Sequence, residues 1–244
     1  MSSPIPSLSV VVLCYRSEDT IASFVEPLIA SLEKGEPDWE MILVGNYKEN
    51  SGDRTPEVVK ELAKKNPRIR TVTLAKQGMM GWDMKSGLRA TTGRVLSVID
   101  GDGQMPYQDV LRTYKKLKDE GLDLVKTYRT ERNDGFYRFC ISTVYNLLFK
   151  FLFPGLNSLD INSKPKTLRR EIYEKMDLRS DGWFIDAEIM IQARRLKLKI
   201  GEVSTVFLNM DSRPSFVRPQ AIFEFLGNLI SYRIWEFRYW IKNK

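Results

Sequence analysis

The sequence predicts an α/β fold with a mostly parallel central sheet. Continuous apolar segments rich in β-branched residues, such as Leu8 to Tyr15, are typical of strands that are buried on both faces. These segments alternate with helical ones at the spacing of βαβ units, which favours parallel strand pairing. Ligands of such sheets bind beyond the carboxyl ends of the strands, so polar residues at those ends are the first candidates for a site.

The first half of the chain divides into four strand segments, each followed by a helical one. Strands are predicted at residues 8–15, 39–44, 70–74 and 95–99. Helices are predicted at residues 17–33, 55–65, 80–90 and 106–120. Ser17 and the Thr55-Pro56 pair mark two helix starts, because a hydroxyl accepts a free amide of the first turn and proline suits the first helical position.

The second half contains two long apolar segments after a predicted strand at Leu122 to Tyr128. Phe139 to Phe153 is shorter than the roughly 20 residues that cross a bilayer, and Lys150 interrupts it. Ala221 to Ile241 is aromatic but also charged, which favours an amphipathic helix lying in a membrane surface. A terminal helix packed on the core is the alternative. The predicted units are a domain at residues 1–220 and an interfacial helix at residues 221–244.

Composition limits the chemistry that this chain can perform. None of its 244 residues is histidine, which excludes Ser-His-Asp and Cys-His hydrolases, histidine zinc sites and histidine general bases. Cys14 and Cys140 stand alone in apolar segments, so we expect buried thiols in a reducing compartment and no disulfide. No secretory signal is recognisable at the amino terminus. The net charge of +7 suits anionic partners such as nucleic acid, anionic lipid or a phosphorylated substrate.

Asp100 and Asp102 form the most informative local pattern, since they come where the β-forming run Val95 to Ile99 ends. Side chains alternate along a strand, so both carboxylates can point the same way, and Gly101 and Gly103 permit a tight turn. Like charges this close repel unless a cation lies between them. A hard divalent ion, Mg²⁺ or Mn²⁺, meets that need. A polar loop that caps a buried strand is the alternative.

Three segments of the chain together resemble a known family. They are VVVLCYRSEDTI, ILVGNYKENSGDRT and QGMMGWDMKSGLRATTGRVLSVIDGDGQMP. From about Leu8 to Ser215 the chain resembles the family 2 glycosyltransferases of GT-A fold, and within them the polyprenyl-phosphate transferases of the dolichyl-phosphate mannose synthase type. The resemblance implies a three-layer α/β/α architecture.

The chain departs from the family pattern in two places. Gly45-Asn46 stand where the family commonly has aspartates after its second strand, which leaves Asp53 and Glu49 as substitutes in nucleotide recognition. Met210 to Ser215 stands where the family has an arginine-rich Gly-x-Ser-Lys segment and keeps that segment poorly.

The resemblance also implies roles for individual residues. The nucleotide-sugar would be bound by Tyr15, Glu18, Asp53, Asp100 and Gln104. The metal would be held by Asp100, Asp102 and Gln104. The acceptor phosphate would be bound by Arg129, Arg138 and Ser142, and arginine suits phosphate because its planar fork donates bidentate hydrogen bonds. The catalytic set would be Asp102, Asp186 and Arg138.

We therefore expect an inverting, metal-dependent glycosyltransferase of cell-envelope glycan synthesis. It would move a sugar from a GDP- or UDP-sugar to a polyprenyl phosphate, either dolichyl or undecaprenyl phosphate. Such an acceptor is already anionic at neutral pH and needs no strong base, which agrees with a chain that lacks histidine. We expect a cytoplasmic protein that associates peripherally with the cytoplasmic face of a membrane and does not bind nucleic acid.

Two alternatives remain open from the residues. Transfer to a sugar hydroxyl of a surface glycan would need a general base, for which Asp186 is the candidate. A protein of a different class would be non-catalytic and would bind membrane or nucleic acid through its positive charge. The acidic cluster at the strand end disfavours the second alternative, because without a metal it would repel phosphate.

Overall fold

The computed structural model describes residues 5–18, 20–36, 38–131, 136–156, 158–208 and 220–242, without the side chains of 131–142, 220–224, 239, 240 and 242. The strands are β1 (Leu8–Leu13), β2 (Trp39–Val44), β3 (Ile69–Val72), β4 (Val95–Asp100), β5 (Leu124–Glu131), β6 (Lys166–Arg169) and β7 (Ile200–Val206). The helices are α1 (Thr20–Gly35), α2 (Thr55–Lys65), α3 (Met80–Arg89), α4 (Gln108–Asp119), α5 (Phe136–Leu152), α6 (Arg170–Tyr173), α7 (Ile185–Arg195) and α8 (Gln220–Lys242).

The strands form one seven-stranded sheet in the order β3-β2-β1-β4-β6-β5-β7. Pairing is parallel throughout β3, β2, β1 and β4, and again between β5 and β7. Only β6 runs the other way, antiparallel to β4 on one side and to β5 on the other. The predicted α/β fold with a mostly parallel sheet is thus confirmed.

Alternation along the strands divides the core into two layers. In β1, Val10 and Val12 face the layer that α1, α2 and α4 cover, whereas Val11 and Leu13 face the layer of α3, α5, α7 and α8. Every residue of β1 and β2 is buried, which explains their mostly apolar sequences. Cys14 follows β1 and its side chain is fully buried, as expected.

Several predicted boundaries shift, among them the end of β1 from Tyr15 to Leu13, and two of the shifts have identifiable reasons. The first helix begins at Thr20 and not at Ser17, because Arg16 and Glu18 have left-handed φ values of 52° and 40° that a right-handed helix excludes. The predicted strand at residues 122–128 extends instead to Glu131, because β5 pairs with β7 along its length. Neither correction moves the strand ends at which the site is predicted.

The carboxyl-terminal helix α8 packs one face on the core. Leu229 is fully buried, the Phe225 ring lies 5.5 Å from that of Tyr145 on α5, and Glu236 accepts hydrogen bonds from Arg194 of α7. Within the described ranges, no helix combines the length and the apolarity needed to cross a bilayer. The division at residue 220 stays a prediction.

Candidate functional site

The carboxyl ends of three neighbouring strands meet at one edge of the sheet. Leu13 ends β1 and pairs in register with Val44 of β2 on one side and with Asp100 of β4 on the other. Residues that follow these strands therefore lie side by side. Tyr15 follows β1 and Asn46 follows β2, so the segments predicted to bind a nucleotide and a metal share this edge.

The turn after β4 requires its glycines. A Cβ on Gly101 would lie 2.6 Å from Ile21 Cδ1, closer than packed atoms allow. Gly103 has a φ of 74°, in the left-handed region that favours glycine. Oδ1 of Asp102 accepts a hydrogen bond from the Gln104 amide at 3.0 Å. The backbone thus holds the segment in a tight turn directly beyond the sheet.

The oxygen atoms of this turn fit a divalent cation. The Asp100 side chain is 32% exposed, and Lys164 Nζ lies 3.0 Å from its Oδ2. Among the described residues, no group of three or more His, Cys, Asp or Glu side chains could hold a metal by itself. Mg²⁺ and Mn²⁺ need no such group when water and phosphate oxygens complete their shell. The assignment of Asp100, Asp102 and Gln104 to the metal stays a prediction.

A buried ion pair that sequence reasoning missed lies beside Tyr15. Lys76 Nζ is 4.0 Å from the centroid of the Tyr15 ring and pairs with Asp83. Asn46 donates to Asp83 Oδ1 and to Ser86 Oγ, both at 2.9 Å. Burial disfavours both charges, so it lowers the pKa of Lys76 and raises that of Asp83. The opposite charge of the partner counteracts this effect in each residue. In the sequence, the signal for this ion pair is a lysine shortly after the third strand.

Asp53 and Glu49, the predicted substitutes in nucleotide recognition, have different surroundings, and both roles stay predictions. Its Oδ1 accepts hydrogen bonds from the amide and the hydroxyl of Thr55 at 3.0 and 2.6 Å. Its Oδ2 is buried and has no hydrogen-bond partner in the part of the chain that the structure describes. The Glu18 amide donates to the Thr55 hydroxyl at 3.0 Å, which joins the loops after β1 and β2. The Glu18 and Glu49 side chains are exposed.

Three lysines that sequence reasoning also missed are buried behind the acidic turn: Lys126, Lys164 and Lys166. Lys164 Nζ lies 3.0 Å from Asp100 Oδ2 and 3.1 Å from Asp186 Oδ2, and Lys166 Nζ lies 2.6 Å from Asp186 Oδ1. Burial disfavours the charge of Lys164, but Asp100 and Asp186 outweigh burial and raise its pKa. In the sequence, the signal for this cluster is the presence of lysines within β-forming segments. Buried lysines are rare unless they are paired, so lysines at such positions indicate buried carboxylate partners.

Asp186 is the candidate general base for the alternative acceptor, a sugar hydroxyl, and its surroundings make it a weak base. Its side chain is 2% exposed and contacts both Lys164 and Lys166. Burial alone would raise the pKa of Asp186, but the two ammonium groups outweigh burial and hold it below its usual value. A carboxylate stabilised in this way accepts a proton poorly, so the geometry gives no support to the role of base, which stays a prediction.

The predicted acceptor residues lie on β5 and α5. Arg129 donates two hydrogen bonds to Asp160, from Nε at 2.6 Å and from Nη2 at 3.1 Å, and its guanidinium lies 5.6 Å from the centre of the Phe207 ring. Arg138 and Ser142 belong to α5, but their side chains lie outside the described part of the structure, as does Met210–Ser215. The grouping of these residues around a phosphate stays a prediction.

The mostly parallel sheet and the acidic turn at the carboxyl ends of its strands define an α/β protein with a candidate ligand site. The model of the family described as glycosyl transferase family 2 matches residues 9–177, and the chain belongs to this family. The chain is 27% identical over 177 residues to the undecaprenyl-phosphate 4-deoxy-4-formamido-L-arabinose transferase of Pectobacterium atrosepticum, which covers 72% of this chain and 53% of that protein. The chain spans about half the length of the curated relatives it matches.

Solved structures support the same fold. Glucosyl-3-phosphoglycerate synthase from Mycobacterium tuberculosis, in complex with uridine diphosphate, superposes with a TM-score of 0.73 at 22% identity, over 93% of this chain and 80% of that one. The mannosyltransferase PcManGT from Pyrobaculum calidifontis, in complex with GDP-Man and Mn²⁺, has a TM-score of 0.56 at 19% identity, over 84% of this chain and 57% of that one. At these identities the similarity shows the fold, which is of the GT-A type.

Proposed function

We propose that this chain is an inverting glycosyltransferase that depends on Mg²⁺ or Mn²⁺ and transfers a sugar from a GDP- or UDP-sugar to a polyprenyl phosphate. The acidic turn from Asp100 to Gln104 carries the proposal, since it stands at the strand ends of a family 2 chain. A relative named for transfer to undecaprenyl phosphate supports the acceptor. A structural neighbour bound to GDP-Man and Mn²⁺ supports the donor and the metal.

The residues after β1 and β2 suit a nucleotide. The partly exposed Tyr15 ring offers an aromatic face, and Lys76 lies against it. The buried Oδ2 of Asp53 has no hydrogen-bond partner among the described residues and would accept a hydroxyl or a ring N–H of the ligand. When bound at Asp100 and Asp102, a divalent ion would neutralise the leaving diphosphate. The donor would then lie along the edge from β2 to β4.

A binding site for an acceptor phosphate needs a fixed positive charge and does not need a strong general base. A phosphate monoester is an anionic nucleophile, and inversion requires it to approach the anomeric carbon from the face opposite the diphosphate. Two hydrogen bonds from Arg129 to Asp160 hold the guanidinium next to β5. Arg129, together with Arg138 and Ser142 of α5, would orient the acceptor phosphate. Asp186 is buried and paired with Lys164 and Lys166, which lower its pKa, and this disfavours the alternative of transfer to a neutral sugar hydroxyl.

A membrane surface is the proposed location of the acceptor. Two packed helices, α5 and α8, leave large apolar side chains exposed on their outer faces. These are Val144, Leu147 and Phe151 of α5 and Ile230, Ile234, Phe237 and Ile241 of α8. Exposed Lys150, Arg233 and Arg238 on the same helices suit anionic headgroups. We refer to the seven exposed apolar residues of α5 and α8 as the apolar face. The apolar face would rest on the cytoplasmic side of a membrane as a peripheral contact.

The decisive experiment is a donor and acceptor screen. The protein is incubated with GDP- and UDP-sugars and Mn²⁺ or Mg²⁺, with or without undecaprenyl or dolichyl phosphate, and release of nucleoside diphosphate is followed. We expect release that needs both the metal and the lipid phosphate. Equal release with a soluble phosphorylated or hydroxylic acceptor would replace the lipid acceptor, and release unaffected by excess chelator would refute metal dependence.

A further inference from the structure

The strongest unassigned feature of the site is Lys164. It precedes β6 and its side chain is 4% exposed, although it contacts the acidic turn. Its ammonium lies 3.0 Å from Asp100 Oδ2, 3.1 Å from Asp186 Oδ2 and 3.2 Å from Met80 Sδ. Each of its three N–H groups therefore has a partner. A lysine that is buried and held on three sides acts as a charge in a fixed position.

This fixed charge lies at a carboxylate that is predicted to bind a metal. Asp100 Oδ2 is occupied by the ammonium, so a cation would be bound by Oδ1. The cation would then share the Asp100 carboxylate with a positive charge that cannot move away. Partial burial strengthens repulsion between two such charges relative to water. Two phosphate groups of a nucleotide bring negative charge to the same place and offset the repulsion.

We propose that Lys164 is a positioning residue of the donor site, which orients Asp100 through one oxygen and weakens binding of a divalent cation until a nucleoside diphosphate is present. The inference rests on the proposed function, because it assigns Asp100 to the metal. It makes cation and nucleotide binding interdependent through a residue that contacts Asp100 directly. Lys166 remains paired with Asp186 when Lys164 is replaced, which limits the structural damage.

The test measures Mn²⁺ affinity in the protein without nucleotide, by calorimetry or by the spin-resonance signal of free Mn²⁺. The variant Lys164→Met keeps an unbranched apolar side chain, one heavy atom shorter, and removes the charge, and Lys164→Gln serves if the first variant does not fold. Lys164→Arg is the matched control that retains the charge. Thermal melts establish that each variant is folded.

We expect Mn²⁺ to bind at least about fivefold more tightly to Lys164→Met than to the wild type, while the gain in affinity from added UDP or GDP shrinks and kcat falls. Lys164→Arg should keep the wild-type Mn²⁺ affinity. A merely structural role would weaken Mn²⁺ binding and turnover together. Unchanged or weaker Mn²⁺ binding in a folded, charge-free variant overturns the proposal. If Lys164→Met binds Mn²⁺ more tightly but the wild type transfers no sugar, the proposed function is contradicted and the role of Lys164 is not.

Discussion

Asp100 and Asp186 lie on two sides of the same lysine and have opposite surroundings. Asp100 ends β4 with its side chain 32% exposed, whereas Asp186 begins α7 with its side chain 2% exposed and held by two ammonium groups. Both are aspartates next to apolar segments, so their sequences look alike. The comparison shows that availability to a ligand depends on which charges the fold has already placed beside a carboxylate. The carboxylate at the exposed edge is open to a ligand, while the buried side pairs its charges internally.

The largest effect is expected on the exposed side, from Asp102→Asn. The substitution removes a charged ligand and keeps the shape, and the amide oxygen can still accept the Gln104 N–H. We expect activity to fall at least about 100-fold, since metal stabilisation of a leaving group is worth several kcal/mol. Initial rates of nucleoside diphosphate release measure it, alongside a melting temperature that should stay within a few degrees.

Asp119→Asn, an exposed position at the end of α4, is the control for that variant and should keep full activity. Wild-type rates in Asp102→Asn would contradict the metal assignment. A large loss of melting temperature would instead make the acidic turn a structural element.

On the buried side, Asp186→Asn should mainly cost stability. The substitution leaves Lys166, and in part Lys164, buried without a negative partner. Breaking a buried pair in this way lowers the free energy of unfolding by about 3–5 kcal/mol. Urea unfolding measures the change. Asp177→Asn is the matched control, because that carboxylate is 58% exposed in a surface pair with Arg179 and should cost less than about 1 kcal/mol.

An Asp186→Asn variant that is as stable as the wild type but inactive would contradict the structural role of Asp186. That result would restore Asp186 as the general base and favour a sugar hydroxyl as the acceptor. Retained turnover per folded molecule, measured where the variant is still native, is the expected outcome.

A smaller effect is expected from Arg129→Ala and Arg138→Ala. Each charge-assisted hydrogen bond to the acceptor phosphate contributes roughly 1.5–3 kcal/mol, so kcat/KM for polyprenyl phosphate should fall about tenfold or more. Donor KM should change little, because the proposed nucleotide site lies at the ends of β1 and β2 and not on β5 and α5. Arg89→Ala, at an exposed arginine that ends α3, is the control. A change confined to donor KM would contradict the assignment of these arginines.

The smallest effect concerns the apolar face. Phe151 is 80% exposed on α5 and Phe237 is 59% exposed on α8, so glutamate at either position should not disturb the core. Each substitution should lower co-sedimentation with anionic vesicles several-fold, because an aromatic side chain no longer enters the interface. Ile5→Glu is the control, since Ile5 is 56% exposed and precedes the opposite end of β1. If all three variants co-sediment with vesicles as the wild type does, the proposed membrane contact is contradicted.

Sequence reasoning located β1 to β4 and α2 to α4 within a few residues, because their periodicity and turn residues act locally. It also placed Asp100 and Asp102 at a strand end. It did not find β6, whose four residues include Lys166 and show little of the pattern of a buried strand. That strand pairs with β4 and β5 on either side, so its partners decide its conformation.

By itself the sequence determined the fold class, the order of the first four strands along the chain and the carboxylates at their ends, because short-range patterns of apolar residues, glycines and charges encode them. Only the tertiary structure decided which charged groups meet. Lys164 reaches Asp100 across 64 residues and Asp186 from the other side, and Asn46 reaches Asp83 across 37 residues. Burial and pairing set the charge and availability of each group, and both depend on contacts between residues far apart in the chain.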